Sequence, residues 1–225
     1  MSDTALGPVP DKANVLNDLF SEQGAGSAVR FRAGQTIMHQ GDLSDHVMML
    51  RTGFAKRVIR CADDAEIVLG LFEPSQVIGE QAALDGLPRS ASVVALTDVT
   101  AVAVSGDAFR ALIGTHPAAA SAVLGILGER IREADQGRLE LATRTVACRV
   151  AARLVALAPR IGAADEATGA VRLPLTQQDL AGWAGASREA VVRTLRRLRD
   201  EGVVTTERKT IIVHDLDALR VAAAS

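Results

Sequence analysis

LTQQDLAGWAGASREAVVRTLRRLRDEGVV, Leu175 to Val204, is the stretch whose reading decides the fold. Thr176 offers an oxygen to the first free amides of a helix, and Asp179, three residues later, reaches back to the Thr176 amide: the reciprocal pairing of a capped helix start. Leu180, Trp183 and Ala184 follow at helical spacing. Gly185-Ala186-Ser187 breaks the run, and Ser187 is placed to cap a second helix with Val191, Val192, Leu195 and Leu198 as its buried stripe and a stop at Gly202. The opposite face carries Arg188, Glu189, Arg193, Arg196, Arg197 and Arg199. On charge alone, such a face is as readily a solvated one. Joined to the cap, the glycine turn, the small residues at the crossing and the Arg/Glu pair in the first turn, it predicts a helix-turn-helix whose second helix presents donors and acceptors to a major groove.

Outward from this motif, Thr205–Asp215, TTERKTIIVHD, reads as a small hairpin turning near Glu207-Arg208-Lys209, which makes the motif a winged helix-turn-helix. Arg208 and Lys209 at the tip suit backbone phosphate. On the other side, Cys148 to Ala158 is predicted helical with Pro159 as its stop, and Arg160 to Gly169 is a Gly/Ala/Asp loop. Before it a long helix starts at Pro117 and runs to about Thr143. Leu124, Leu127, Ile131, Ala134, Arg138 and Leu141 alternate steps of three and four along it, a heptad-like seam interrupted by Arg138. That stripe is most simply a homodimer interface; packing on its own β domain is the alternative. Asp107 is the expected cap of a preceding short helix, Ala108 to Gly114.

Residues 1–10, with Gly7, Pro8 and Pro10, read as a flexible tail. A short amphipathic helix over Lys12 to Ser21 is expected to bury Val15, Leu16, Leu19 and Phe20. From Ser27 to about Ser105 short β-type runs alternate with Gly34, Gly41-Asp42, Asp63-Asp64 and Pro74, the pattern of an antiparallel barrel or jelly roll, with a hairpin turn at Asp63-Asp64. Within it lies Gly79–Ala91, GEQAALDGLPRSA. Gly79 permits close backbone approach, Glu80 offers a carboxylate, residues 81–84 make one helical turn, and Arg89 and Ser90 supply a guanidinium and a hydroxyl. Together these groups would cradle an anionic phosphate, with the carboxylate accepting from a ribose hydroxyl. Taken singly, Glu80 and Arg89 are equally an ion pair that closes a loop.

Composition bounds the possibilities. The chain has 225 residues, 48% hydrophobic and 23% charged, enough for one large domain or two ordinary ones with a real core. The net charge of −2 is uneven: twelve Lys/Arg stand against nine Asp/Glu from Arg149 onward, and thirteen against eighteen before it. A locally basic C-terminal part suits a protein that touches phosphates at one end. No apolar run approaches the roughly 20 residues of a membrane span, and MSDTALGPVPDK has neither the basic end nor the apolar core of an export signal, so a cytoplasmic location is expected. Cys61 and Cys148 are far apart, and His39, His46, His116 and His214 are scattered. No metal, haem or iron–sulfur ligand set is predicted. No nucleophile–base arrangement points to an enzyme.

The order of these parts, barrel, GE–RSA cassette, long helix and winged helix-turn-helix, resembles the cyclic-AMP receptor protein/FNR (CRP/FNR) family of bacterial transcription regulators from about Asn14 to Val213. The resemblance implies an α+β chain: a β jelly-roll cyclic-nucleotide-binding domain over residues 11–116, a dimerisation helix over 117–145 and a winged helix-turn-helix DNA-binding domain over 146–225. It implies Glu80 on the ribose 2′-OH, Arg89 and Ser90 on the cyclic phosphate, and Gly79, Gln81, Ala82 and Ala83 lining it with backbone. Arg130 either pairs with Glu80, linking cassette to helix, or is a surface arginine. Where the family's cyclic-AMP receptor places two hydroxyls on the adenine amino group, this chain has Ala134 and Asp135. Ala134 cannot hydrogen-bond, and the Asp135 carboxylate accepts from adenine N6 as well as from the N1–H and N2–H of guanine. Cyclic AMP is therefore the expected ligand, with cyclic GMP or ligand-independent activity as alternatives. The resemblance also makes Ser187 the start of the recognition helix, Arg188, Glu189 and Arg193 base readers, and Thr176 and Gln178 phosphate contacts. Arg donates to guanine O6/N7 and Glu accepts from cytosine N4, which fits TGTGA-like half-sites in a double-stranded DNA palindrome. RNA polymerase is the implied second partner, with the Arg160–Ala170 loop at the family's activating surface. The rival class is a nucleotide-sensing regulatory subunit.

Overall fold

A computed structural model describes residues 15–16, 20, 27–43, 45–61 and 66–224. The tail, most of the helix expected over Lys12–Ser21 and the Asp63-Asp64 turn lie outside the described residues. The β-type runs form strands β1 (Ser27–Phe31), β2 (Thr36–Met38), β3 (His46–Thr52), β4 (Ala55–Arg60), β5 (Glu66–Phe72), β6 (Val77–Ile78), β7 (Ser92–Ala95) and β8 (Val99–Ser105), with the short helix α1 (Glu80–Asp85) after β6. They make two four-stranded sheets, ordered β1-β8-β3-β6 and β2-β7-β4-β5, the expected jelly roll. β8 lies antiparallel between β1 and β3, with Val99 opposite Phe31 and Ala103 opposite both Ser27 and Met48. Met38, Leu50, Phe72, Ile78, Val93 and Val99 are among the apolar side chains of one core cluster. β-Branched residues at alternate positions suit a pleated face that is half buried.

α2 (Gly106–Thr115) follows β8 without a loop. Its cap is Ser105, whose hydroxyl accepts from the Ala108 amide at 3.2 Å, and not Asp107, which pairs with Arg110. The last strand residue already has the extended backbone a cap needs, so the helix begins two residues sooner than predicted. Proline-adjacent His116 is extended, and α3 (Pro117–Thr143) starts directly after it. Ala119, Ala122 and Val123 of α3 bury against Phe109, Leu112, Val47 and Met49. Leu124 (69% exposed) and Ile131 (63% exposed) lie open, as do Leu139 and Leu141. The helix thus packs one face on its own β domain and leaves an apolar stripe outside.

α4 (Val146–Ile161) begins two residues before Cys148, capped by Thr145, and runs through Pro159 to end at Gly162. Proline there forgoes its own N–H bond and crowds the Val155 carbonyl, yet the turn continues and the Gly162 amide still reaches the Ala158 carbonyl at 3.1 Å. The Gly/Ala/Asp stretch is not all loop: β9 (Ala163–Ala164) pairs with β10 (Val171–Leu173) around a turn in which Asp165 accepts from the amides of Ala167 and Thr168. Then come α5 (Gln177–Ala184), α6 (Arg188–Asp200), β11 (Val204–Glu207), β12 (Thr210–Val213) and α7 (Leu216–Ala224). The wing sheet has the order β11-β12-β10-β9. In α6 the buried stripe is Val191, Thr194, Leu195 and Leu198; Val192 is 41% exposed, because it sits about 100° round the helix from Val191. The chain divides into two compact units, residues up to 55 with 72–134, and residues 56–71 with 135–225.

Candidate functional site

The cassette is built where β6 ends. Gly79 takes φ 83°, and a Cβ there would meet Arg89 Nη1 at 2.6 Å and Met38 Cε at 2.8 Å, so only glycine lets the arginine come this close. Arg89 is buried; its Nη1 donates to the Gly79 carbonyl at 2.6 Å and its Nη2 to the His46 carbonyl at 2.5 Å. Glu80 is fully buried, and its carboxylate faces Arg130 of α3 through two hydrogen bonds. Arg130 also donates to the Val77 carbonyl at 3.1 Å and lies 5.3 Å from the centre of the Phe72 ring. Glu80 pairs with Arg130, while the Arg89 guanidinium is held by backbone carbonyls, with the Glu80 carboxylate near enough for its charge to act on it. Ala82 and Ala83 are buried in α1, and exposed Ser90 donates to Gln81 Oε1 at 3.0 Å. A buried carboxylate acceptor near guanidinium and hydroxyl donors fits a phosphate flanked by a sugar hydroxyl. Burial and then the Arg89 charge hold the His46 imidazole below its ordinary value. Ala134 and Asp135 are solvent-exposed, and Asp135 pairs with Arg138 at 3.5 Å.

The helix-turn-helix has the caps read from the sequence. Thr176 Oγ1 accepts from the Asp179 amide at 3.0 Å and Asp179 Oδ2 accepts from the Thr176 amide at 2.8 Å. Gly185 ends α5 in the left-handed region at φ 56°, and Ser187 caps α6 through the Ala190 amide at 3.3 Å. Arg188, Glu189 and Arg193 are exposed, as are Gln178, Ser187, Arg208 and Lys209; Thr176 is half-buried. The Glu189 carboxyl is held below its usual range by its own backbone amide and by the Ser187 hydroxyl, so it stays an acceptor.

The sequence reading missed Arg149 and the cleft beside the start of α4. Buried Arg149 of α4 clamps the turn of the motif, donating to the carbonyls of Ala184 (2.7 Å), Gly185 (3.2 Å) and Arg144 (2.7 Å). An open cleft of about 360 Å³ runs between the start of α4 and the side of α6, lined by Thr145, Val146, Ala147, Ala190, Arg193, Thr194 and Arg197. The cap pattern Thr145-Val-Ala-Cys was its available signal; nothing in the sequence placed that helix start beside Arg193.

A jelly roll carrying such a cassette, followed by a winged helix-turn-helix, defines a cyclic-nucleotide-responsive class of DNA-binding regulator. Residues 28–116 match the family model of the cyclic nucleotide-binding domain, and residues 148–222 match that of the Crp-like helix-turn-helix domain. The chain is 31% identical over 191 residues, 85% of each chain, to the CRP-like cAMP-activated global transcriptional regulator of Mycobacterium tuberculosis. It is 32% identical over 182 residues, 81% of each chain, to the cyclic AMP receptor protein of Thermus thermophilus. Among solved structures, a CRP-family transcriptional regulator, also of Thermus thermophilus, superposes with a TM-score of 0.77 at 25% identity, covering 88% of this chain and 97% of that one. The chain belongs to the CRP/FNR family of transcription regulators.

Proposed function

We propose that the protein is a homodimeric regulator whose grip on DNA is set by a cyclic nucleotide, cyclic AMP in the first place. The observation that carries this reading is the buried Glu80–Arg130 bridge, which ties the acidic member of the cassette to the long helix. A ribose hydroxyl donating to Glu80 would share that carboxylate with Arg130, so binding alters a contact made by α3 itself. Arg89 and Ser90 take the cyclic phosphate, and Gly79, Gln81, Ala82 and Ala83 line it. Asp135 meets the base edge, with Ala134 beside it. The stripe of Leu124, Ile131 and Leu141 supplies the dimer contact, as exposed large apolar side chains at a heptad-like repeat demand a partner surface. Two copies of α6 then read half-sites about 34 Å apart. Arg188, Glu189 and Arg193 read G·C pairs of a TGTGA-like inverted repeat, and Ser187 starts the reading helix. Thr176, Gln178, Arg208 and Lys209 hold phosphates. RNA polymerase meets the β9–β10 turn.

The test is a gel shift on a TGTGA-type palindrome with cyclic AMP, cyclic GMP or neither. Retardation that appears with cyclic AMP supports the reading. Equal retardation under all three conditions would overturn the nucleotide control while leaving the DNA reading intact. A stronger response to cyclic GMP would transfer the Asp135 carboxylate to the N1–H and N2–H of guanine.

A further inference from the structure

The deepest charged cluster in the DNA-reading unit lies outside the face just described. Lys56, near the start of β4, has its ammonium 2.6 Å from Asp179 Oδ1 and 3.0 Å from Glu66 Oε2 of β5. The side chains are 10%, 11% and 22% exposed for Lys56, Asp179 and Glu66. Residues 56–71 belong to the same compact unit as the helix-turn-helix, so this cluster is internal to it.

Asp179 divides its two oxygens between two tasks. Oδ1 takes the Lys56 ammonium, and Oδ2 accepts from the Thr176 amide at 2.8 Å and the Thr176 hydroxyl at 2.6 Å. The carboxylate that forms the capping box of α5 is therefore also what anchors α5 to the hairpin. One turn on, Gly182 presents bare backbone to the same hairpin: a Cβ there would meet the Glu66 carbonyl at 2.7 Å and Val68 Cγ2 at 2.8 Å. At the far end, Arg149 grips the Ala184 and Gly185 carbonyls. α5 is thus fixed at its N-terminal end by Lys56 and at its C-terminal end by Arg149. α6 leaves α5 through the Gly185 turn, so its direction follows from where α5 is held. Burial alone would draw the Lys56 ammonium down and push both carboxyls up; the hydrogen bonds and charges within the triad, with Arg60 beside Glu66 and Thr176 on Asp179, outweigh it, and all three groups are held ionised.

A buried ion pair contributes little net stability over apolar residues of the same shape, but it is directional, and removing one member leaves an unmatched charge. We propose that Lys56 is a positioning residue for DNA reading: seated between Glu66 and Asp179, its ammonium fixes the N-terminal end of α5 and through it the attitude of the recognition helix α6. The proposal rests on the reading of α6 as the DNA-contacting helix.

The experiment uses the full chain and its single tryptophan, Trp183, which lies on α5 beside Gly182. DNA duplexes enriched from a random pool by the wild-type protein, and shuffled versions of them, are titrated with wild type, Lys56→Met, Lys56→Arg and Asp179→Asn. Lys56→Met is expected to lose about ten-fold or more in affinity for the enriched duplex, with a smaller loss on the shuffled one, and to shift Trp183 emission. Lys56→Arg keeps the cation and is expected to recover most of the loss. The double variant Lys56→Met/Asp179→Asn is expected to bind no worse than Lys56→Met alone, since both remove one interaction. Should Lys56→Met not fold, the isosteric Asp179→Asn carries the same comparison. Unchanged affinity and emission in the single variants, or equal losses on enriched and shuffled DNA, would overturn the proposal without touching the DNA reading. Failure of the wild type to enrich any duplex, with cyclic AMP, cyclic GMP or neither present, would overturn both.

Discussion

Arg193 and Arg197 stand one turn apart on α6, and both line the cleft beside the start of α4. They should not behave alike. Arg193 shares the first two turns with Arg188 and Glu189, where a groove-inserted helix meets base edges; Arg197 is drawn back towards Glu201 at 3.8 Å. Arg193→Ala is expected to cost about 1–3 kcal/mol on the preferred sequence and to relax the choice at one base pair. Arg197→Ala is expected to weaken all sequences alike and flatten the salt dependence by about one phosphate. Titrations on a base-substituted panel at several salt concentrations separate the two. His46 gives a residue-scale prediction of a different kind. Its folded-state value lies below the ordinary 6.5, so as pH falls the unfolded chain takes up that proton first. The melting temperature of the chain should accordingly drop as pH falls below about 6.5, and His46→Gln should reduce that slope. At this scale the legible residues were those acting on near neighbours: Thr176, Asp179 and Ser187 cap within three positions of themselves, and local spacing reveals that. Arg149 and Lys56 were not legible, because their partners lie 35 and 123 residues away and a lone cation carries no mark of its acceptor.

α3 shows how one element serves two surfaces. Its Ala119, Ala122 and Val123 sit in the core with Phe109, while Leu124 and Ile131 face out. The heptad-like steps recorded the outward Leu124, Ile131 and Leu141 but wrongly took in Leu127, which packs half-buried on the same core, and they missed the alanine face, since small alanines carry little periodic signal. Substitutions on the two faces should therefore have opposite consequences. Leu124→Glu/Ile131→Glu is expected to yield a folded monomer in sedimentation velocity with a melting curve close to that of a dissociated wild type. Phe109→Ala, which empties a fully buried site, is expected to cost about 3–5 kcal/mol in chemical denaturation without selecting for the oligomeric state. A Leu124→Glu/Ile131→Glu protein that stays dimeric would move the interface off this stripe. Element boundaries were the weaker part of the sequence reading for a related reason. Ser105 displaced Asp107 as a cap because the last strand residue already has the extended backbone a cap needs, and α4 ran two residues past Pro159 to Ile161.

At the scale of the whole molecule the question is what joins the cassette to the reading helix. α3 runs from the unit that holds the cassette into the unit that holds the helix-turn-helix, and Arg130 is its contact with Glu80. If nucleotide binding and DNA binding are coupled through this contact, thermodynamics makes the coupling reciprocal: the factor by which cyclic AMP tightens DNA binding must equal the factor by which DNA tightens cyclic AMP binding. Arg130→Lys isolates the link. A lysine keeps the positive charge beside buried Glu80 but loses the planar fork that spans both carboxylate oxygens and the Val77 carbonyl. The buried carboxylate remains compensated, so the large penalty of an unpaired charge is avoided and the chain should melt close to wild type. Both affinities, measured separately, should then move little, whereas the coupling factor should fall towards one from either direction. Isothermal titration of cyclic AMP with and without the palindrome, set beside DNA titration with and without cyclic AMP, gives the two factors independently. Equal factors that survive Arg130→Lys would place the link elsewhere on the chain.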